Sequence, residues 1–248
     1  MPVIRPKRIP RGRRKAEPEK LTWYKRLGVA AAGYWKAVLI GICAVLLLFG
    51  GYVGWYMYRE NREHKAATAL ARVNDEITEL LEKTADEAES PEDIDEEEVF
   101  RGAIEKYEEV AGRYGDTKAG RLAKYEMANL YFELGEMDDA RDNFNDAGRG
   151  GGNMKVLAAL GVADTYSADG DTEKAAEYYE KVRKDSDGAF PYVYATLKLA
   201  QLNEEEGNLE AAKGFYREII DYHTGSPFAE DAGEGLLRIE AKEELAGD

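Results

Sequence analysis

Two patterns of hydrophobic and polar positions divide the chain. From Ala37 to Tyr58 the residues AVLIGICAVLLLFGGYVGWYMY form 22 consecutive positions without a charge. Beyond Tyr58 apolar residues recur every three to four positions among charged ones, as amphipathic helices require, and strand-like alternation is scant. At 1.5 Å per residue the first run reaches about 33 Å as a helix, enough to cross a hydrocarbon core of roughly 30 Å. The chain is therefore predicted to be all-α, with an N-terminal transmembrane helix followed by a helical body.

That body repeats itself. The segments ANLYFELGEMDDARDNF from Ala128, ADTYSADGDTEKAAEYY from Ala163 and AQLNEEEGNLEAAKGFY from Ala200 align on one pattern, with Gly135, Gly170 and Gly207 spaced 35 and 37 residues apart. Ala128, Ala163 and Ala200 are small where the first helix of a unit must press on the second, and Ala140, Ala175 and Ala212 answer from that second helix. Each glycine is expected to end a first helix, because a left-handed cap is least costly for Gly. Phe144, Tyr179 and Tyr216 are expected to fill the space between units, while Asn203 stands where Tyr131 and Tyr166 stand in the others. Upstream, AIEKY from Ala103 reads as the second helix of an earlier unit. Its first helix is then Arg59–Ala85, with Leu70, Val73, Ile77, Leu80 and Leu81 on one face. Between them ADEAESPEDIDEEE, with Pro91 inside, reads as a solvated loop, and Pro227–Leu245 as a polar capping helix over the last apolar face.

Charge adds direction. The formal net charge is −15, yet residues 1–36 carry +9 (11 Lys/Arg against Glu17 and Glu19), which leaves −24 for the rest. Basic residues before an apolar run place the N-terminus in the cytoplasm and the acidic body outside, periplasmic if the membrane is a bacterial inner membrane. The run exceeds the usual apolar core of a secretory signal and ends in Trp55-Tyr56-Met57-Tyr58 without a small-x-small cleavage site, so an anchor is favoured over a removable signal. Tyr34 and Trp35 on one side and Trp55, Tyr56 and Tyr58 on the other suit the two interfaces. Gly50 and Gly54, four apart, offer a ridge for membrane-helix packing and a homo-oligomer, though glycine is common in membrane helices without that role. The Pro- and Arg-rich tail before it is too polar for a core and suits a disordered segment that touches lipid headgroups, and Leu21–Lys36 suits an amphipathic turn at the interface. The expected divisions are residues 1–36, tail and juxtamembrane segment; 37–58, transmembrane helix; 59–96, stalk and acidic loop; and 97–248, repeat domain.

Catalytic chemistry finds little support. His64 and His223 are about 160 residues apart, and the sole cysteine, Cys43, is inside the apolar run, so neither a His/Cys metal site nor a nucleophile triad can be assembled. Asp169, Asp171, Glu173 and Glu180 match acidic positions of a calcium loop, but Lys174 stands where that loop needs glycine. GRGGGN, Gly148–Asn153, lacks the Lys-Ser/Thr of a phosphate loop and reads as a flexible joint. No enzyme, metal or cofactor is expected, and the acidic body disfavours nucleic acid.

The three aligned segments resemble tetratricopeptide repeats, over roughly residues 97–245. A basic N-terminus, one span and an acidic repeat body is similar to the ancillary subunits of the bacterial SecYEG translocon, which implies a membrane protein that hands emerging chains onward with a periplasmic chaperone. YEEVAGRYGDTKAGRLAKYEMANLY and YREIIDYHTGSPFAEDAGEGLLRIE are similar to junctions of repeat proteins in outer-membrane assembly and cell-division coordination. In such arrays the first helices line a concave groove. On this sequence the resemblance maps that groove to Leu122, Tyr125, Asn129 and Phe132, then Leu157, Leu160 and Asp164, then Tyr194, Leu197 and Gln201. Apolar area with an amide or carboxylate suits an extended or helical peptide, although residues at these positions also have the option of packing between helices. Two functions follow as expectations: a translocon-associated chaperone or holdase platform for secretory chains, and a structural envelope scaffold that organises a membrane complex.

Overall fold

Helix caps and small residues explain where each element begins and what it packs on. The computed structural model describes residues 23–87, 95–186 and 189–247; the tail through Thr22 and residues 88–94 of the acidic loop, Pro91 included, lie outside the described residues. Among the described residues the order is α1 (Trp23–Glu87), α2 (Glu96–Tyr114), α3 (Lys118–Glu133), α4 (Met137–Gly148), α5 (Gly152–Ala168), α6 (Thr172–Asp185), α7 (Ala189–Glu205), α8 (Leu209–Tyr222) and α9 (Ala229–Gly247), with no strand. By contacts the chain divides into Met1–Met57 and Tyr58–Asp248.

In the first unit the backbone is helical from Trp23 except at Tyr34, where φ −118° and ψ 18° interrupt it. The interfacial turn expected up to Lys36 is thus part of a longer helix. The apolar run has no protein over it: Ile40, Leu47 and Leu48 are all at least 70% exposed. The helix has the length and composition needed to cross a membrane, with mean hydropathy 2.4 over its most apolar stretch.

In the second unit Ala66, Leu70 and Val73 of α1 are buried against Ile104, Val110 and Met127, with Ile77 packed beside them. Leu81, expected on that face, is exposed, because it is rotated about 100° from Leu80 and off the stripe. Asp95 caps α2 by accepting from the Glu98 N–H at 3.1 Å, so Glu96, Glu97 and Glu98 form its first turn rather than the end of a loop. Three acids there are favoured by the positive end of the helix dipole. Thr117 caps α3 through the Gly120 N–H, and Glu63 of α1 accepts from the Lys118 N–H at 3.0 Å.

The repeat turn is made three times with one geometry. Gly135, Gly170 and Gly207 have φ of 76°, 77° and 81°. The next residue's N–H returns to the carbonyl five positions back: Glu136 to Tyr131 at 2.8 Å, Asp171 to Tyr166 at 2.9 Å, Asn208 to Asn203 at 2.8 Å. Positive φ here is why glycine recurs at the period of the repeat. Ala128, Ala140, Ala163, Ala175, Ala200 and Ala212 are fully buried, and Phe144, Tyr179 and Tyr216 are at most 2% exposed. Asn203, in place of an aromatic residue, turns its amide to the Leu199 carbonyl at 2.8 Å.

Each helix from α2 onward packs on the next, and α3, α5, α7 and α9 also approach one another in succession, whereas α2, α4, α6 and α8 do not do so to a comparable degree. The first helices of the units therefore share an inner face. Partly buried ion pairs link the last units. Arg183 of α6 donates to Thr196 of α7 and Glu218 of α8, both at 3.0 Å. Glu204 of α7, with a side chain only 8% exposed, accepts from Arg238 at 2.8 Å and Lys242 at 3.0 Å of α9. Helix α9 buries Ala232 and Ile239 on α8, but its outer side is not wholly polar, since Leu237 and Leu245 are exposed.

Candidate protein-binding face

Asp164 of α5 is the polar centre of the inner face. The fully buried Tyr179 of α6 donates to its Oδ1 at 2.6 Å, and Tyr194 of α7 donates to the same oxygen at 3.4 Å. Burial raises the Asp164 pKa above the usual carboxylate range, opposed by the Tyr179 hydrogen bond and the Lys198 charge. Desolvation and the Asp164 charge in turn raise the pKa of Tyr179 and Tyr194. Tyr125 of α3 lies within reach of the same charges and is raised first by desolvation and then by Glu126 and Asp164. Helices α5 and α7 thus bring Asp164 and Tyr194 together from positions 30 residues apart in sequence, and Tyr125 of α3 packs on the adjoining cluster of Phe144, Ala158 and Val162.

Aromatic rings extend this face. Tyr125 meets Phe144 edge-on at 5.4 Å between centroids. Tyr194 stacks with Phe190 at 6.1 Å and meets Phe228 edge-on at 5.6 Å. Phe190 is 54% exposed, which leaves a ring available at the start of α7. The Lys198 ammonium sits 5.3 Å from the centroid of the Tyr194 ring.

The other expected groove residues separate. Leu122 is half-buried on the α1–α3 core, and Phe132 on the cluster of Ala128, Ala140 and Phe144. Asn129 is half-buried, with its amide 3.4 Å from Glu126. Leu157 lines an open pocket of about 620 Å³ with Val156, Lys155 and Pro191. Gln201 borders a smaller depression with Glu204, Arg238 and Lys242. Leu160 and Leu197 are corrections: at 7% and 4% exposed they offer a peptide no area. Each lies three residues before a fully buried alanine, Ala163 or Ala200, and follows it into the interhelical seam. Gly50 and Gly54 have open space around them.

Tyr179, Lys198, Phe190 and Phe228 are site neighbours that the sequence pattern passed over. Lys198 had a signal, since it follows Tyr194 by four on one helix; Phe228 had none, because it comes from the segment before α9. Among the described residues no group of three His, Cys, Asp or Glu is placed to hold a metal ion. Asp169 is instead paired with Arg141 at 2.5 Å, and Asp171 caps α6 through the Lys174 N–H.

Stacked helical hairpins with an aromatic inner face define a repeat scaffold of the protein-interaction class. The family model of the tetratricopeptide repeat-like domain matches residues 31–160, and two tetratricopeptide repeat models match residues 158–182 and 194–226. The first takes in more than half of the chain, so the chain belongs to the tetratricopeptide-repeat family. Among solved structures, BtubC (BKLC) from P. vanneervenii is 16% identical with a TM-score of 0.52, over 77% of this chain and 85% of that one. MamA is 15% identical with a TM-score of 0.43, over 60% of this chain and 91% of that one. At these identities the likeness is one of fold. No curated protein matches the chain.

Proposed function

We propose that this is a membrane-anchored protein-binding module whose repeats face the periplasm from a bacterial inner membrane, where it serves as a translocon-associated chaperone or holdase platform for secretory chains. The observation that carries the binding part is the pairing of Asp164 of α5 with Tyr194 of α7 on the inner face, with Tyr125 of α3 packed on the adjoining cluster of Phe144 and Val162. Amphipathic rings around a polar group suit a passing chain, because they supply apolar area and orient a hydrogen bond at little entropic cost.

Anchoring is supported by two further facts. The family match starts at residue 31 and so includes the apolar run together with the first repeat helices. Helix α1 also continues beyond the run, so a cleavage site there would fall within a helix rather than in an extended stretch. In water the exposed Leu, Ile, Val and Phe side chains of the run would each be unfavourable by about 1.5–3 kcal/mol, a penalty that a bilayer removes. The +9 charge of residues 1–36 supports a cytoplasmic N-terminus.

Site-specific photocrosslinkers at Tyr125, Phe132 and Tyr194 test the reading in membranes that are translocating a labelled secretory chain. Adducts with many nascent chains support the holdase. One stable adduct with a single membrane subunit replaces it with the scaffold, a protein that organises an envelope complex without handling clients.

A further inference from the structure

We propose that the inner face contains a subsite for a cationic side chain, lysine or arginine, carried on an extended segment of another polypeptide, with Asp164 as its anchor and Tyr194 beside it. This rests on the protein-binding reading above and adds its charge preference.

The hydrogen bonding of Asp164 is lopsided. Tyr179 and Tyr194 both donate to Oδ1. Oδ2 accepts no hydrogen bond among the described residues, yet it is not sealed from solvent, since the one buried side-chain nitrogen or oxygen without a partner there is Arg62 Nε. An ionised carboxylate with one oxygen open to solvent keeps acceptor capacity that a lysine or arginine side chain can take in a charge-assisted hydrogen bond. The chain's own candidate does not. Lys198 attracts Asp164, but the two form no ion pair among the described residues, and the ammonium lies over the Tyr194 ring instead.

That contact of Lys198 with Tyr194 also shows the chemistry available to a ligand. Ring faces of tyrosine attract ammonium and guanidinium groups, and the Tyr194 ring stands beside Asp164 through its hydroxyl contact with Oδ1. Longer-range charge points the same way. Outside its first 36 residues the chain carries −24, so a basic segment is drawn to the body and an acidic one repelled. An acidic peptide terminus needs clustered Lys or Arg, whereas among the described residues Lys198 is the cation whose charge acts on Asp164.

The test uses the full chain in nanodiscs of neutral phosphatidylcholine, with fluorescence anisotropy of three short labelled peptides that alternate Leu and Phe with Ser and differ in one central residue, Lys, Gln or Glu. The Lys peptide is expected to bind about tenfold more tightly than the Gln peptide, the scale of one charge-assisted hydrogen bond, and the Glu peptide more weakly still. In Asp164→Asn the tenfold preference of Lys over Gln is expected to fall to about onefold, read as the ratio of the two affinities within that variant. Lys198→Gln, which removes the internal competitor, tightens the Lys peptide, a gain that misfolding cannot produce. Equal binding of all three peptides, or a uniform loss for all three in Asp164→Asn, overturns the subsite and leaves the protein-binding face standing. Displacement of the Lys peptide by an equal concentration of spermidine overturns it in favour of free amines. No binding by any of the three overturns both.

Discussion

Asp164 and Gly161 are two positions where a single group decides an energy balance. Burial raises the Asp164 pKa, so the folded chain holds that proton more tightly than the unfolded chain does. Stability is therefore lost as pH rises from the ordinary carboxylate range of about 4 through the raised folded value, and the deficit persists at neutral pH. Asp164→Asn is expected to raise the thermal midpoint at pH 7, with the advantage shrinking towards pH 4; circular dichroism melts at the two pH values check this, and a midpoint lowered equally at both refutes it. Gly161 acts through space. A methyl group there would fall 2.5 Å from the ring of the buried Phe144. Gly161→Ala should destabilise by about 1–3 kcal/mol in denaturant titration, and Phe144→Leu in the same chain should recover part of that.

Among the elements, α9 depends on a charge cluster as well as on its apolar side. Arg238 first, then Lys242 and Tyr216, hold Glu204 down at about 2, while burial first, and then Glu204, pushes Tyr216 up to about 12 against the lowering effect of Arg238. A depressed carboxylate stabilises the fold above its unfolded value of about 4.3, and that contribution is lost as pH falls through the folded value near 2. Because Arg238 and Lys242 are both more than half exposed, solvent screens the pairs. Glu204→Gln is expected to cost about 1–2 kcal/mol at pH 7 and to speed amide exchange in α9 before α5 or α6. Uniform acceleration across all helices would show that α9 does not open on its own.

At the scale of the whole molecule, the proposed anchor makes location and integrity measurable together. The full-length chain is expected to stay in the membrane pellet through alkaline carbonate extraction and to keep its apolar run, as read by intact mass. A soluble product lacking residues before Tyr58 would exclude the anchor. Protease added outside should remove α2–α9 while sparing the basic tail, and the reverse pattern would invert the proposed orientation.

The amino-acid sequence alone determined the helical class, the period and the turns, because these rest on local rules. Gly135, Gly170 and Gly207 are needed wherever a helix ends with positive φ, and alanine is needed wherever two helices of one hairpin touch. Those signals repeat, and repetition makes them legible. The site was legible only in part. The first-helix register singles out Tyr125, Asp164 and Tyr194 as candidates, but Leu160 and Leu197 share that register and are buried, since a few tens of degrees of helix rotation decide between seam and surface. Tertiary structure alone decided that Tyr194 of α7 reaches the Asp164 oxygen that Tyr179 already holds within its own hairpin, and that Phe228 closes over α7. Both the Tyr194 and the Phe228 contacts join residues from different repeats, and their geometry follows from how the hairpins stack, which no spacing within one repeat encodes.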